Sequence, residues 1–397
     1  MNGVPVLNLA GVRVRAHWSV LLVAALLVWG LAEGVIPITV PGTPAPLRWG
    51  VAVVAALVLI ASLLAHELAH SLVARRRGVA VEGITLWVFG GVSHLRDDWQ
   101  TPGTELRVAI AGPLVTLLLC GVFVGLAFLL TALGAPPLAI VLAQWLFTVN
   151  LLLLVFNLVP AFPLDGGRIL RAAIWRLRGD RHAATVIAAR AGRWFALVLM
   201  LVGVLDFLLT ADVGGIWLAV VGWFLDGAAR REQQGEAVRR TLAGARVREA
   251  MTRDPVAVPG WLTVQLMLDQ YTGRSAQGWF PTHGIDGRID GLVSSLQLRR
   301  VPPPQRAARR TADVALPLTQ VPRATPDDMV TDVLQRIGAR RDWCVLVFEG
   351  DDVIGMMSPR DVARLLANKT ANRRAHPLPP PVPPPPPLAG EAAARST

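Results

Sequence analysis

The chain has 397 residues, 53% of them hydrophobic, and a mean hydropathy of +0.47, which excludes an ordinary soluble enzyme and points to membrane segments in a protein of two or more domains. The formal charge of +11 sits in short arginine clusters between apolar runs, with no basic stripe interleaved with aromatics, so nucleic acid is excluded as a partner and membrane lipid is expected. Two cysteines far apart in the chain, Cys120 and Cys344, exclude a thiolate metal site and a disulfide framework.

Six apolar spans are predicted, at 17–34, 50–73, 106–131, 137–160, 187–210 and 214–228, each near the length a bilayer core needs. The first reads as an uncleaved anchor, because no small-residue cleavage site ends its run. Arg13 and Arg15 precede span 1, Arg75 to Arg77 follow span 2, and Arg168, Arg171, Arg176, Arg178 and Arg181 lie between spans 4 and 5. Arg230 and Arg231 follow span 6, whereas the opposite connections carry only Arg48. This asymmetry predicts a multi-pass protein of the cell membrane with both termini cytoplasmic. Residues 78–105 do not span; within them Val79 to Val92, rich in Val, Ile, Trp and Phe and punctuated by Gly83, Gly90 and Gly91, reads as a short β-hairpin or re-entrant segment buried in protein or lining a cavity.

Inside span 2 stands His66-Glu67-Leu68-Ala69-His70. Two histidines four apart share one face of a helix, one turn apart, and can reach one ion. Residues 51–65 are apolar except Ser62, so ionisable groups there are costly unless they have a use. The pattern is that of a zinc site in which Glu67 takes a proton from water at the metal. A catalytic zinc usually keeps three protein ligands. Asp165 is the one carboxylate between Glu105 and Asp180, at the end of span 4 on the side of His66 and His70. Pro160 and Pro163 break that span and Gly166-Gly167 permit a tight turn, so Asp165 can point back into the bundle as third ligand, cap the following helix, or do both.

From about residue 245 the composition changes. Residues 245–303 and 311–369 read as two copies of one small α/β unit, with Gly291-Leu292-Val293-Ser294 and Gly355-Met356-Met357-Ser358 at corresponding strand ends. Residues 371–397 form a proline-rich tail expected to be extended or disordered. Residues 1–232 make up the membrane domain.

The two motifs, His66-Glu67-x-x-His70 and Asn157-x-x-Pro160-x-x-x-x-Asp165-Gly166, resemble the site-2 protease family of intramembrane metalloproteases, peptidase family M50, over roughly residues 10 to 230. The resemblance implies one zinc ion per chain held by His66, His70 and Asp165, with Glu67 as general base. It further implies that Asn157 holds the substrate backbone or the developing oxyanion. Asn150 also fits the family's span, or serves as a helix–helix hydrogen bond. Gly90-Gly91 resembles the Gly-Gly of the family's membrane hairpin, which could offer an edge strand to substrate. The loop at 74–105 is too short for the PDZ domain many members carry, which matches the branch with CBS domains instead. Met251-Thr252-Arg253-Asp254-Pro255-Val256 and Ile354 to Val362 fit CBS patterns.

A CBS pair implies an adenine nucleotide between the repeats, with Ser358 and Asp361 on the ribose, and homodimer contacts. In the first repeat Gln297 stands where that aspartate would be, after Ser294, so one site is expected. Alternatively, Asp361 only caps the closing helix. The fold class expected is an α-helical polytopic membrane bundle of about six spans with a short β-hairpin, followed by a cytosolic α/β CBS pair. The function implied is cleavage of peptide bonds in or near transmembrane segments of membrane-bound regulators, such as an anti-sigma factor or a membrane-tethered transcription regulator, under nucleotide control. The competing reading is a non-enzymatic nucleotide-sensing membrane protein or transporter gated by the CBS pair, which would have no need of the His-Glu-x-x-His helix.

Overall fold

The computed structural model describes residues 3–9, 11–79, 81–87, 90–95, 101–272, 277–338 and 342–375. The chain divides into two compact units, Met1–Ala237 and Val238–Thr397.

The first unit opens with strands β1 (Val4–Leu9) and β2 (Val12–Ala16), joined through Gly11 at φ +75°. The expected hairpin is present as β3 (Val81–Trp87) and β4 (Gly90–Leu95), paired antiparallel. The four strands form one sheet in the order β1-β2-β3-β4. The first two strands are unexpected, because Arg13 and Arg15 count in the sequence as charge beside a span. The alternation Val12-Arg13-Val14-Arg15 has the period of a strand with one buried face. Val12 and Val14 are indeed buried, and Val12 packs with Ile84 and Leu86 against Leu63, Leu64 and Leu68.

Helix α1 (Ser19–Trp29) runs through a π turn at Gly30–Val35 into α2 (Ile36–Thr39). There follow α3 (Ala45–Arg76), α4 (Pro102–Ala132), α5 (Pro137–Leu158), α6 (Asp165–Arg178), α7 (Arg181–Thr210) and α8 (Val213–Leu242). Among the described residues five stretches are long and apolar enough to cross a membrane: Ser19–Thr39, α3, α4, α5 and α7. The sixth expected span, 214–228, lies in α8. Its apolar run stops at Asp226, which is buried and paired with Arg193 and Arg230. Arg48, the charged exception on the opposite side, is paired with Glu33, which also accepts from Trp49 Nε1 at 3.0 Å.

Lipid supplies no hydrophobic force between helices, so small residues let backbones approach closely. Ala52 and Ala55 of α3 and Ala184, Ala188, Ala189 and Ala196 of α7 are fully buried. Gly203 of α7 and Gly215 of α8 face each other so closely that a Cβ on either would lie 2.5 Å from the other's carbonyl oxygen. Large apolar side chains such as Leu118 and Phe128 point outward, as a bilayer solvent allows.

The second unit consists of α9 (Val247–Ala250), β5 (Thr252–Arg253), β6 (Val258–Pro259), α10 (Val264–Met267), β7 (Trp279–His283), β8 (Ile289–Ser294), α11 (Ser295–Arg300), β9 (Leu316–Pro317), β10 (Arg323–Ala324), α12 (Val330–Ile337), β11 (Val345–Glu349), β12 (Asp352–Met357) and α13 (Pro359–Ala375). Its two sheets run β6-β7-β8-β9 and β10-β11-β12-β5. Each repeat therefore lends a strand to the other: β5 joins the sheet of the second, and β9 that of the first. Separate cores form on Val258, Val264, Phe280 and Val293 and on Val247, Val330, Val345 and Met357. Helix α13 continues to Ala375, into the stretch expected to be extended, and the proline-rich remainder lies outside the described residues.

Candidate metal centre

Helix α3 places His66 and His70 on one buried face, and α6 begins at Asp165 directly against them. The break between α5 and α6 is built from Val159-Pro160-Ala161-Phe162-Pro163-Leu164. A Cβ on Gly166 would lie 2.2 Å from Val159 O, and one on Gly167 would lie 2.4 Å from Phe162 N. Glycine is therefore required for the tight return that aims Asp165 inward. Its side chain points at the imidazoles, with Oδ2 3.1 Å from His66 Nε2.

Three atoms converge. His66 Nε2 and His70 Nε2 are 3.1 Å apart, and Asp165 Oδ2 lies 3.1 Å from the first and 3.2 Å from the second. The opposite ring nitrogens are committed. His70 Nδ1 donates to the Val108 carbonyl at 2.7 Å. His66 Nδ1 lies 2.8 Å from Thr116 Oγ1, and with that hydroxyl directed to Gly112 O at 3.3 Å the imidazole is the donor between them. Both Nε2 atoms are thus left as acceptors facing each other and a carboxylate oxygen, an arrangement that a cation relieves. Donors held by one tetrahedral zinc at about 2.0 Å stand about 3.3 Å apart, close to the edges of this triangle. Burial opposes ionisation of Asp165, but the two imidazoles outweigh it and hold the carboxyl below the ordinary carboxylate range. Among the described residues this is the one group of three such side chains able to share an ion.

The neighbouring helix was not legible as part of the site. Glu105, Val108, Gly112 and Thr116 of α4 are spaced three, four and four apart, so they share one helical face, and all are buried. A Cβ on Gly112 would fall 2.2 Å from His70 Nε2 and 2.6 Å from His66 Nε2, in the space an ion would use. The small-residue run Ala109-Ile110-Ala111-Gly112-Pro113 was the available signal.

A cavity of about 660 Å³ opens beside the cluster. It is lined by Glu67 and Asn157 together with the three converging residues, and by apolar side chains of α1, α3, β3, α5 and α8 such as Leu63, Trp87, Phe156 and Phe224. Glu67 and Asn157 are both half-buried. Asn150 is buried, and its Nδ2 donates to Leu146 O at 2.8 Å within its own helix rather than across to another. Gly90 and Gly91 pair with Trp87 and Leu86 as the start of β4, the edge strand next to β3, whose Leu86 and Trp87 line the cavity.

In the second unit Ser358 and Asp361 are buried beside β5. Asp361 accepts from Ser358 N at 2.9 Å, Ser358 Oγ at 2.6 Å, Thr252 Oγ1 at 2.6 Å and Arg364 at 2.9 Å. It caps α13 and joins it to the strand contributed by the other repeat. Ser294 and Gln297 make a reciprocal capping box at α11. Burial and the Asp361 charge push the Cys344 thiol up, so it stays protonated and inert.

The sequence profile of peptidase family M50 matches residues 54–136 and 131–201. The chain is 45% identical over 368 residues to Rip3 of Mycobacterium tuberculosis, named as a zinc metalloprotease, covering 92% of this chain and 93% of that protein. Against the solved site-2 protease of Methanocaldococcus jannaschii it shows 30% identity and a TM-score of 0.41, covering 58% of this chain and 95% of that one. Against the CBS domain of a bacterial CNNM/CorC family Mg2+ transporter in complex with ATP, identity is 19% and the TM-score 0.29, over 34% of this chain and 97% of that one.

Proposed function

Because the chain belongs to peptidase family M50 and is an intramembrane zinc metalloprotease with a CBS region, we propose that it cleaves membrane-bound regulatory proteins in or near a transmembrane segment, under control of a nucleotide bound by its CBS pair. The observation that carries the catalytic reading is the convergence of His66, His70 and Asp165 on one point, beside Glu67 and Asn157 in an apolar cavity. In this reading those three residues hold one zinc per chain. When bound, the ion supplies Lewis acidity that polarises a peptide carbonyl and acidifies water. Glu67 accepts the proton of the attacking water and returns it to the departing amine. The Asn157 side-chain amide donates to the oxygen of the developing tetrahedral carbon. Thr116 and the Val108 carbonyl fix which imidazole nitrogens face the ligand point.

A substrate helix has to unwind before its carbonyl reaches the zinc. The β4 edge gives an unwound strand backbone partners in place of lost helical bonds. Substrates in this reading are single-span regulators, such as an anti-sigma factor or a membrane-tethered transcription regulator. Both termini are cytoplasmic, a placement supported by the exposed arginines Arg75, Arg76, Arg77, Arg176 and Arg178 beside α3 and α6. Nucleotide control is supported by the grouping of Ser358, Asp361 and Thr252, in which a ribose diol would replace Thr252 and Arg364 on the carboxylate. A second copy is expected to associate through the CBS pair. The catalytic reading is tested by Glu67→Gln in proteoliposomes with a single-span substrate. Cleavage is expected to fall by about 10²–10⁴ while bound zinc stays at one per chain. Undiminished cleavage would remove Glu67 from the reaction.

A further inference from the structure

Arg171 reads from sequence as one of the arginines of a cytoplasmic connection. Among the described residues it is the largest fully buried side chain, 1% exposed, and no step described above uses it. Its Nε donates to Glu105 Oε1 at 2.6 Å, and Nη2 pairs with the same oxygen. Nη1 donates to Glu232 of α8 at 3.0 Å, and the guanidinium stacks over the Phe162 ring, 4.9 Å from its centroid. Three elements and the break before α6 thus meet on one residue. A buried ion pair adds little net stability, because desolvation offsets the attraction. Its distinctive contribution is directional, since the planar guanidinium fixes an orientation that apolar contacts leave free.

What is oriented here is the metal centre. Glu105 belongs to the same face of α4 as Val108, Gly112 and Thr116, the residues that contact both histidines. Arg171 sits six residues after Asp165 in the same helix, about 9 Å along its axis. Between them the close glycine contacts at Gly166 and Gly167 leave the helix start no slack. We propose that Arg171 is a positioning residue: by locking α6 to the face of α4 that contacts both histidines, it holds Asp165 at the point where the three ligand atoms converge. This inference rests on the ligand assignment proposed above.

The test is zinc affinity of the full-length protein in detergent, measured by competition with a chelator. Arg171→Gln is expected to weaken zinc binding by about 10–100-fold, the range seen when residues behind metal ligands are removed. It should also lower kcat more than it changes KM. Arg171→Lys, which keeps the charge but not the fork, and Glu232→Gln should each weaken zinc several-fold. Arg193→Gln breaks the pair with Asp226 between α7 and α8 and serves as the control. It should lower the Tm of the metal-free protein and leave zinc affinity unchanged. Wild-type zinc affinity in Arg171→Gln overturns the proposal. If that variant does not fold, wild-type affinity in both Arg171→Lys and Glu232→Gln overturns it instead. Zinc retained at one per chain in a His66→Ala, His70→Ala protein sinks the ligand assignment itself, separately from the role of Arg171.

Discussion

The two units each hold a carboxylate in a polar cluster, and the clusters differ in what they lack. Asp361 is surrounded by donors: a backbone N–H, two hydroxyls and a guanidinium. Its environment is complete without a ligand, so it stabilises the fold and can at most exchange partners. Asp165 faces two imidazole nitrogens whose opposite sides already donate elsewhere, so acceptors meet acceptors. That site is electrostatically incomplete until a cation enters. Burial alone therefore does not mark a ligand site. The balance of donors and acceptors does.

Four experiments would break or sharpen this contrast. The largest effect is expected from replacing His66 and His70 together by alanine, which should reduce bound zinc from one per chain to none by elemental analysis and abolish cleavage. Gly112→Ala comes next. Its methyl group would stand between the two Nε2 atoms, so zinc content and activity should both fall at least 10-fold while the apolar bundle still assembles. Normal zinc in this variant would show that the ion lies elsewhere. Asn157→Ala should cost about 10²–10³ in kcat with zinc retained, the scale for losing one oxyanion donor. A rise in KM alone would make it a binding residue. The smallest effect belongs to the complete cluster. Asp361→Ala should lower the stability of the second unit by about 1 kcal/mol through the lost cap, visible as a shift in its thermal unfolding. In reconstituted protein it should also abolish the heat of ATP, ADP or AMP binding. Unchanged heat would exclude Asp361 from nucleotide recognition.

The spans, the zinc motif and the repeat were legible because each rests on local pattern. Apolar length reports lipid contact, a spacing of four puts two histidines on one helical face, and a proline-glycine break permits a return. The sixth span, 214–228, was read from its apolar average and lies in α8. What that average does not carry is the pairing of its Asp226 with Arg193 of α7 and with Arg230 one turn on in α8. The N-terminal strands were overlooked because arginines alternating with valines serve charge counting and strand periodicity equally well. The burial of Arg171 was not legible for a related reason. An arginine in a short connection is normally solvated, and its partners lie 66 and 61 residues away in sequence.

By itself, then, the sequence determined the chemistry available: a pair of histidines, a base and a distant aspartate in a membrane chain, followed by a paired α/β module. Only the tertiary structure decided that Gly112 leaves room between the two imidazoles, that Val108 and Thr116 set their tautomers, and that Glu105 and Arg171 tie the helix of Asp165 to that same face. The physical reason is that ligand type follows from residue identity. Ligand position depends on contacts between helices far apart in the chain, which no local pattern encodes.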